Sequence, residues 1–242
     1  MREGGRRAFI ICNGPSLKYL DLTKLKNEVT FGCNTIYRYH DRMGFHTTYY
    51  FNIDSLIALL TIKESLEYIS HDDVIAGYFN PYHRKYINGL KCRYLSKLEM
   101  SLCHTVGMAM IWKALQLGYE PIYVIGLDLE YNYPPKEELI KCNSIEDIPC
   151  DDDTKKILID AKSTINFEDV YLFPDNVRDT SHMIDEYSKY KIPIHYDTTE
   201  NVLKQYKMNF DRMPIELKKK IYNAGVGGNF NFVKRVDYES LF

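Results

Sequence analysis

The sequence predicts an α/β fold of the Rossmann type: a mostly parallel sheet with helices on both faces, plus an inserted lid. Three observations predict it. Short runs that are apolar throughout alternate with helical patterns, which is how strands covered on both faces read. Several of these runs end in Asn or Asp, the polar rim of an open parallel sheet. The chain has 242 residues, 45% of them hydrophobic, enough for one large core and an appended lobe without disulfide or metal staples.

Residues 8–12 and 29–33 are continuous apolar strand candidates, and 47–52 is a third, followed at once by a helical stretch over 54–69. Residues 73–76 and 92–95 are shorter strand candidates. Residues 105–117 are apolar on nearly all sides and end at Gly118, a buried helix closed by a glycine. Residues 121–126 give the clearest strand. The stretch 134–163 differs: it is polar, holds Pro134-Pro135 and carries the acidic run Asp151-Asp152-Asp153. It reads as a long insertion, either a lid or a solvated excursion, with 170–173 a strand within it. Helices are expected at 201–206 and 214–220, and a last strand at 220–223. The organisation is therefore a nucleotide-binding core at 1–133, an insertion or lid at 134–190, and a C-terminal part, 191–242, that completes the core.

Lys and Arg number 31 against 33 Asp and Glu, a net charge of −2. That excludes wholesale electrostatic capture of nucleic acid. No apolar run reaches the ~20 residues of a membrane crossing, and the run at 8–12 is too short for a signal-peptide core. Six cysteines show no C-x-x-C spacing, which suggests a reducing, cytoplasmic compartment. Arg2, Arg6 and Arg7 leave peripheral contact at the inner face of a membrane open, beside the plainer account of a solvated terminus. A homo-oligomer also stays open.

Directly after the first strand comes Cys12-Asn-Gly-Pro-Ser-Leu17. Gly14 permits close backbone approach, Pro15 suits a first helical turn, and Ser16 offers a hydroxyl. Amides at such a turn suit an anion, though an ordinary tight turn fits equally. Asn13, Asn34, Asn52 with Asp54, and Asp128 with Glu130 all follow strand candidates, where ligands of open sheets bind. Neutral amides that read ribose and base, with a carboxylate for a hydroxyl, suit a nucleotide; each alone is more often a strand-end cap. Thr105, Val106 and Gly107 start the buried helix, with Thr105 as its N-cap and Gly107 serving either ligand approach or helix packing. His182 and His195 are the natural bases near neutral pH, although most lone histidines are surface or core residues.

Ile10-Ile-Cys-Asn-Gly-Pro-Ser-Leu-Lys18, then Cys33-Asn34, resembles the first third of bacterial sialyltransferases of glycosyltransferase family 42. Thr105-Val-Gly-Met108, Ala114-Leu-Gln-Leu-Gly-Tyr119 and Ile122-Tyr-Val-Ile-Gly-Leu-Asp128 are similar to that family's middle block, and Ser181-His-Met-Ile184 with His195 and Thr198 to its histidine block. The first blocks also resemble the broader 6-hydroxymethylpterin diphosphokinase-like superfamily, many of whose members are associated with surface polysaccharide (lipopolysaccharide or capsule) synthesis. The tail, 221–242, resembles that group more. The resemblance implies a GT-A-like single domain with a lid, a CMP-activated sialic acid donor, a glycan acceptor and an inverting displacement with no essential metal. It puts Asn13, Gly14, Ser16, Asn34, Asn52, Thr105 and Gly107 in the donor site and makes His195 the base.

Two positions depart from the family. Glu130 stands where a leaving-phosphate tyrosine is expected, with Tyr131 and Tyr133 close by. Ile53-Asp54 replaces a Pro-Ser pair. On this reading Tyr131 or Tyr133 binds the departing phosphate, and Asp197 or Asp185 orients His195. Asp54 and Asp128 near a phosphate instead suit a cation, so a Mg²⁺-dependent, pyrophosphokinase-like enzyme using ATP is the alternative. A non-catalytic nucleotide-binding protein is the third reading. A transferase needs His195 in the pocket with Asn13; a kinase needs Asp54 and Asp128 near enough to share a metal.

Overall fold

A computed structural model describes residues 6–69, 75–78, 92–94, 103, 105–182 and 189–242. Among these, eight strands form one sheet. In chain order they are β1 (Ala8–Ile11), β2 (Val29–Cys33), β3 (Tyr49–Asn52), β4 (Ile75–Tyr78), β5 (Cys92–Tyr94), β6 (Ile122–Ile125), β10 (Ile221–Asn223) and β11 (Lys234–Arg235). Across the sheet the order is β11-β10-β6-β1-β2-β3-β4-β5, and every pair is parallel. The Rossmann-like α/β architecture read from the sequence is the one found. Of the expected strands at 73–76 and 92–95, Asp73, Val74 and Leu95 lie outside the described residues.

The centre of the sheet is β1, with Ala8 opposite both Val29 of β2 and Ile122 of β6. Its side chains alternate between two cores. Ala8 and Ile10 pack with Met108, Ile111 and Ala114 of helix α4 (Val106–Gln116) and with Val202, Tyr206 and Phe210 of α6 (Thr199–Arg212). Phe9 and Ile11 face Leu17, Leu22, Leu25 and Ile36 from three single-turn segments, and Met43 of α1 (His40–Met43). Burial on both faces explains why β1 is apolar at every position.

The helical stretch at 54–69 is two helices, α2 (Ser55–Leu60) and α3 (Ile62–Ile69). The break falls at Thr61, whose hydroxyl donates back to the Ile57 carbonyl at 2.8 Å and competes with the helical ladder. Helix α4 begins where Thr105 accepts from the Met108 amide, and it is followed by Gly118 at φ +83°.

The insertion is neither a bare excursion nor a simple flap. It holds β7 (Ile140–Lys141), α5 (Asp152–Asp160) and β8 (Val170–Leu172). Leu158, Val170 and Leu172 pack on Leu56 and Leu59 of α2. A two-residue strand, β9 (Ile194–His195), pairs antiparallel with β8, with His195 opposite Val170. The first strand of the expected C-terminal part thus belongs with the insertion; α6, the short α7 (Ile215–Lys218), β10 and β11 return to the main sheet. In the basic cluster, Arg7 is tied to Glu28 at 2.6 Å and to the Leu241 carbonyl at 2.7 Å. Arg2 lies outside the described residues. No helix among the described residues is long and apolar enough to cross a membrane.

Candidate functional site

The segments that follow the C-terminal ends of β1, β2, β3 and β6 converge on one cavity of about 600 Å³. The start of α4 and the β9 region close it. Asn13, Gly14, Asn34, Asp54, Thr105, Val106, Gly107, Asp128, Glu130, Tyr131, His182 and His195 all line it. Asn13 and His195, far apart in sequence, share this space. Pro15, Ser16, Asn52 and Tyr133 are not among its lining residues.

The asparagines are the clearest ligand-seeking groups. The Asn13 amide nitrogen donates to the Cys33 carbonyl at 3.2 Å and to the Thr35 hydroxyl at 3.3 Å. A carbonyl can only accept, so this orientation leaves Oδ1 as an acceptor, buried and without a partner. Asn34 has φ +50°, a conformation asparagine tolerates better than most residues. Its backbone is held at both ends, the amide donating to Phe51 and the carbonyl accepting from the Tyr50 hydroxyl. Its Oδ1 is also buried and unpartnered. Such acceptors in a native fold call for a ligand or water. Asn52 has a third unpartnered Oδ1, but it is fully buried beside Tyr50.

The turn after β1 does not offer the anion site its sequence suggests. The Gly14 amide donates to the Gly126 carbonyl at 2.8 Å, and the Cys12 and Leu17 amides donate to Ile125 and Gly14. Ser16 donates its amide to Asp128 Oδ2 at 2.8 Å and its hydroxyl to Oδ1 at 2.5 Å. The anion this turn holds is the protein's own carboxylate. Ser16 is a positioning group for Asp128, and Pro15 simply starts the turn. Gly14 is required by space, since a Cβ there would meet Asp128 Oδ2 and the Gly126 carbonyl at 2.5 Å.

Burial raises the Asp128 carboxyl above its ordinary range, and the Ser16 hydrogen bonds only partly offset this. A raised folded value means the folded state holds more protons than the unfolded state just above pH 4. This group's contribution to stability therefore falls as pH rises through that interval. Asp128→Asn keeps one acceptor and gains a donor toward Ser16, without the buried charge. Its melting temperature should gain on wild type between pH 4 and pH 7. Asp128→Ala leaves Ser16 donors unpaired and should cost about 1–3 kcal/mol. Parallel melting curves for wild type and Asp128→Asn over that range would refute this reading.

Gly107 has a packing role: a Cβ there would meet the Tyr206 hydroxyl at 2.5 Å. Tyr206, from α6, lines the cavity and was not anticipated, because nothing in its local sequence marks it. Burial pushes the Tyr131 hydroxyl up to about 12 and raises those of Tyr133 and Tyr206. At neutral pH all three are hydrogen-bond donors. Tyr133 packs against Tyr131, Phe173 and Tyr196, so Tyr131 is the tyrosine of that pair with access to the cavity.

The two histidines differ. His195 is 37% exposed, and its Nε2 lies 3.6 Å from Asp54 Oδ2, an ion-pair separation too long for a hydrogen bond. Asp54 also caps α2 through the Ile57 amide at 3.0 Å. Asp197, expected to orient His195, instead accepts from the Thr198 amide at 2.8 Å and from Gln205 at 3.4 Å. Asp185 lies outside the described residues. His182, by contrast, meets Asp179 through Nδ1 at 2.7 Å, and the Asp179 side chain is fully buried. The Asp179-x-x-His182 spacing is the signal of this pair in the sequence. Among the described lining residues the charged side chains are Asp54, Asp128, Glu130 and Asp197, together with the two imidazoles. Among the described residues no cluster of three or more His, Cys, Asp or Glu is placed to hold a metal ion.

Fold and site together define an open-sheet α/β protein with a cavity, lined by both polar and apolar residues, on the C-terminal rim of the sheet. The chain matches no protein-family model and no curated protein. Solved structures of glycosyltransferases are similar to it, two of them as follows. One is the sialyltransferase CstII from Campylobacter jejuni in complex with a substrate analogue, cytidine-5'-monophosphate (22% identity over 51% of this chain and 68% of that one, TM-score 0.38). The other is the MAf glycosyltransferase from Magnetospirillum magneticum AMB-1 (13% identity, TM-score 0.46). The match to the latter covers all of this chain and 36% of that one.

Proposed function

We propose that the protein is a glycosyltransferase that moves a sialic-acid-like sugar from a CMP-activated donor to a glycan acceptor with inversion. The observation that carries the reading is the single cavity shared by Asn13, Asn34 and His195. The unpartnered Oδ1 atoms of Asn13 and Asn34 suit donors on the ligand, such as the cytosine amino group and the ribose hydroxyls. Tyr131 donates to the departing phosphate. His195 takes the proton of the acceptor hydroxyl as the anomeric carbon is attacked. Asp54 faces that imidazole and stabilises the cation it becomes. The packed insertion brings β9 and its histidine to the cavity, and its bulk limits the access of water to the donor.

The transfer so described needs no metal. The kinase alternative asks Asp54 and Asp128 to share a cation, whereas both Asp128 oxygens already accept from Ser16. The acceptor would be a cell-surface glycan assembled in the cytoplasm.

A nucleotide panel tests the reading. CMP at a hundredfold excess over its Kd stabilises by about 2.7 kcal/mol, which for a chain of this size raises the melting temperature by about 5–11 °C. CMP and CDP should do so in the presence of EDTA, and ATP should not do so even with Mg²⁺. Stabilisation by ATP that requires Mg²⁺ would overturn the transferase reading in favour of the kinase.

A further inference from the structure

We propose that the Ser181 hydroxyl is a second hydrogen-bond donor to the phosphate of this site, beside Tyr131, and holds that phosphate as it departs. The inference rests on the transferase reading and adds a binding group to it. Ser181 lines the cavity with only 6% of its surface exposed. Its amide donates to Asp179 Oδ1 at 2.9 Å, which fixes the backbone, and its Oγ accepts from the Asn132 amide at 3.0 Å. An amide N–H can only donate, so that second bond occupies a lone pair of the hydroxyl and leaves its proton unspent. Among the described residues no carbonyl, carboxylate or hydroxyl takes that proton. A buried donor in this state calls for a partner from the cavity. The unpartnered oxygens of Asn13 and Asn34 offer acceptors to a ligand; Ser181 offers the reverse.

Its position selects the ligand atom. Asn132 directly follows Tyr131, the tyrosine assigned to the departing phosphate. Two hydroxyls brace this segment, Thr199 on the amide of Tyr131 at 2.9 Å and Ser181 on the amide of Asn132. Thr199 spends its own proton on the Tyr131 carbonyl at 3.4 Å, whereas Ser181 does not. The charged side chains among the described lining residues are four carboxylates and two imidazoles, with no lysine or arginine. A phosphate ester oxygen only accepts, and in such surroundings it gains from neutral donors that are fixed before it arrives.

The step balances without a proton from Ser181. The acceptor oxygen forms the new bond to the anomeric carbon and gives its proton to His195. The old bond from that carbon to the phosphate oxygen breaks, and its electron pair stays on the phosphate. The Ser181 hydroxyl keeps its proton throughout, and its hydrogen bond strengthens as charge gathers on the phosphate.

The test compares CMP with cytidine, by calorimetric titration of wild type and Ser181→Ala. The two probes share base and ribose and differ by the phosphate. CMP affinity should fall about 10- to 100-fold in the variant, the loss of one hydrogen bond to a charged group, while cytidine affinity moves less than threefold. An equal fall for both probes would show that Ser181 only shapes the segment, and it overturns the inference. So does a CMP affinity within threefold of wild type. Either result leaves the transferase reading standing. If wild type does not bind CMP at all, both fall. Should Ser181→Ala fail to fold, for want of the acceptor that holds the Asn132 amide, the decision passes to Ser181→Cys, whose thiol is of similar shape and a weak donor. The same separation of the two probes is expected of it, and an unchanged ratio of CMP to cytidine affinity overturns the inference.

Discussion

His195→Ala should lower turnover by about 10²- to 10⁴-fold, the range for loss of a positioned general base, with CMP binding nearly intact. The expectation follows from where the side chain sits. His195 occupies the two-residue strand β9, paired with β8, is 37% exposed, and meets Asp54 only at 3.6 Å. Removing a half-exposed side chain with no close hydrogen bond should shift stability by no more than about 0.5 kcal/mol. The loss should therefore appear in kcat and not in the melting temperature, because the interaction removed exists only as the acceptor loses its proton. CMP binding separates the alternatives. If turnover and CMP affinity fall together by similar factors, His195 holds the pocket in shape. If turnover survives, His195 has no part in the chemistry and proton removal must be sought at the other imidazole.

Much of the fold is legible in the sequence because it depends on periodicity. β1 is apolar at each of its four positions, since one pair faces α4 and the other pair the opposite layer. The helix at Val106–Gln116 could be bounded from Thr105 and Gly118, because capping chemistry is local. What could not be read depended on distant partners. Residues 234–235 form the edge strand β11, beside β10, but Lys234 and Arg235 are exposed and carry no apolar signature. The polar stretch at 134–163 looks solvated from its composition. It nevertheless builds a core of its own around Cys142, Ile145 and Leu158 against α2, from apolar residues too sparse to show a period.

The site divides the same way. Polar residues directly after strands were found because the C-terminal rim of a parallel sheet is where they gather. Their roles were less legible. Ser16 follows a strand and a glycine, the pattern of a phosphate loop, yet its two donors face a carboxylate 112 residues away in sequence. No local pattern reveals such a partner. Tyr206, on α6, reaches the site through tertiary packing, whereas Asp179 stands only three residues before His182, a spacing that is visible in the sequence.

Gly14→Ala should be among the most destabilising single-methyl changes in the chain, costing about 3 kcal/mol or more and lowering the melting temperature by about 6–12 °C. The cost is not conformational. Gly14 has φ −65° and ψ 154°, an extended geometry open to alanine. It is steric, and the obstacles cannot move. The new Cβ would lie 2.5 Å from the Gly126 carbonyl, a backbone atom fixed by the hydrogen bond it accepts from the Gly14 amide, and 2.5 Å from Asp128 Oδ2, fixed by Ser16. Relief requires β1 and β6 to part at the rim, which disturbs the pairing on both sides of the central strand. Gly107→Ala offers a control of the same size. Its closest contact is the hydroxyl at the end of the Tyr206 side chain, and the next, Leu127 Cδ1, is 3.3 Å away. A slight tilt of that ring accommodates the methyl, and the cost should be nearer 1 kcal/mol. Combining Gly14→Ala with Asp128→Ala should recover little, because the Gly126 carbonyl remains in place. Denaturant unfolding of the four proteins would decide it. A Gly14→Ala variant within 1 kcal/mol of wild type would mean that the joint between the two strands yields, and that the close fit of Gly14 to Asp128 does not hold the rim of the cavity together.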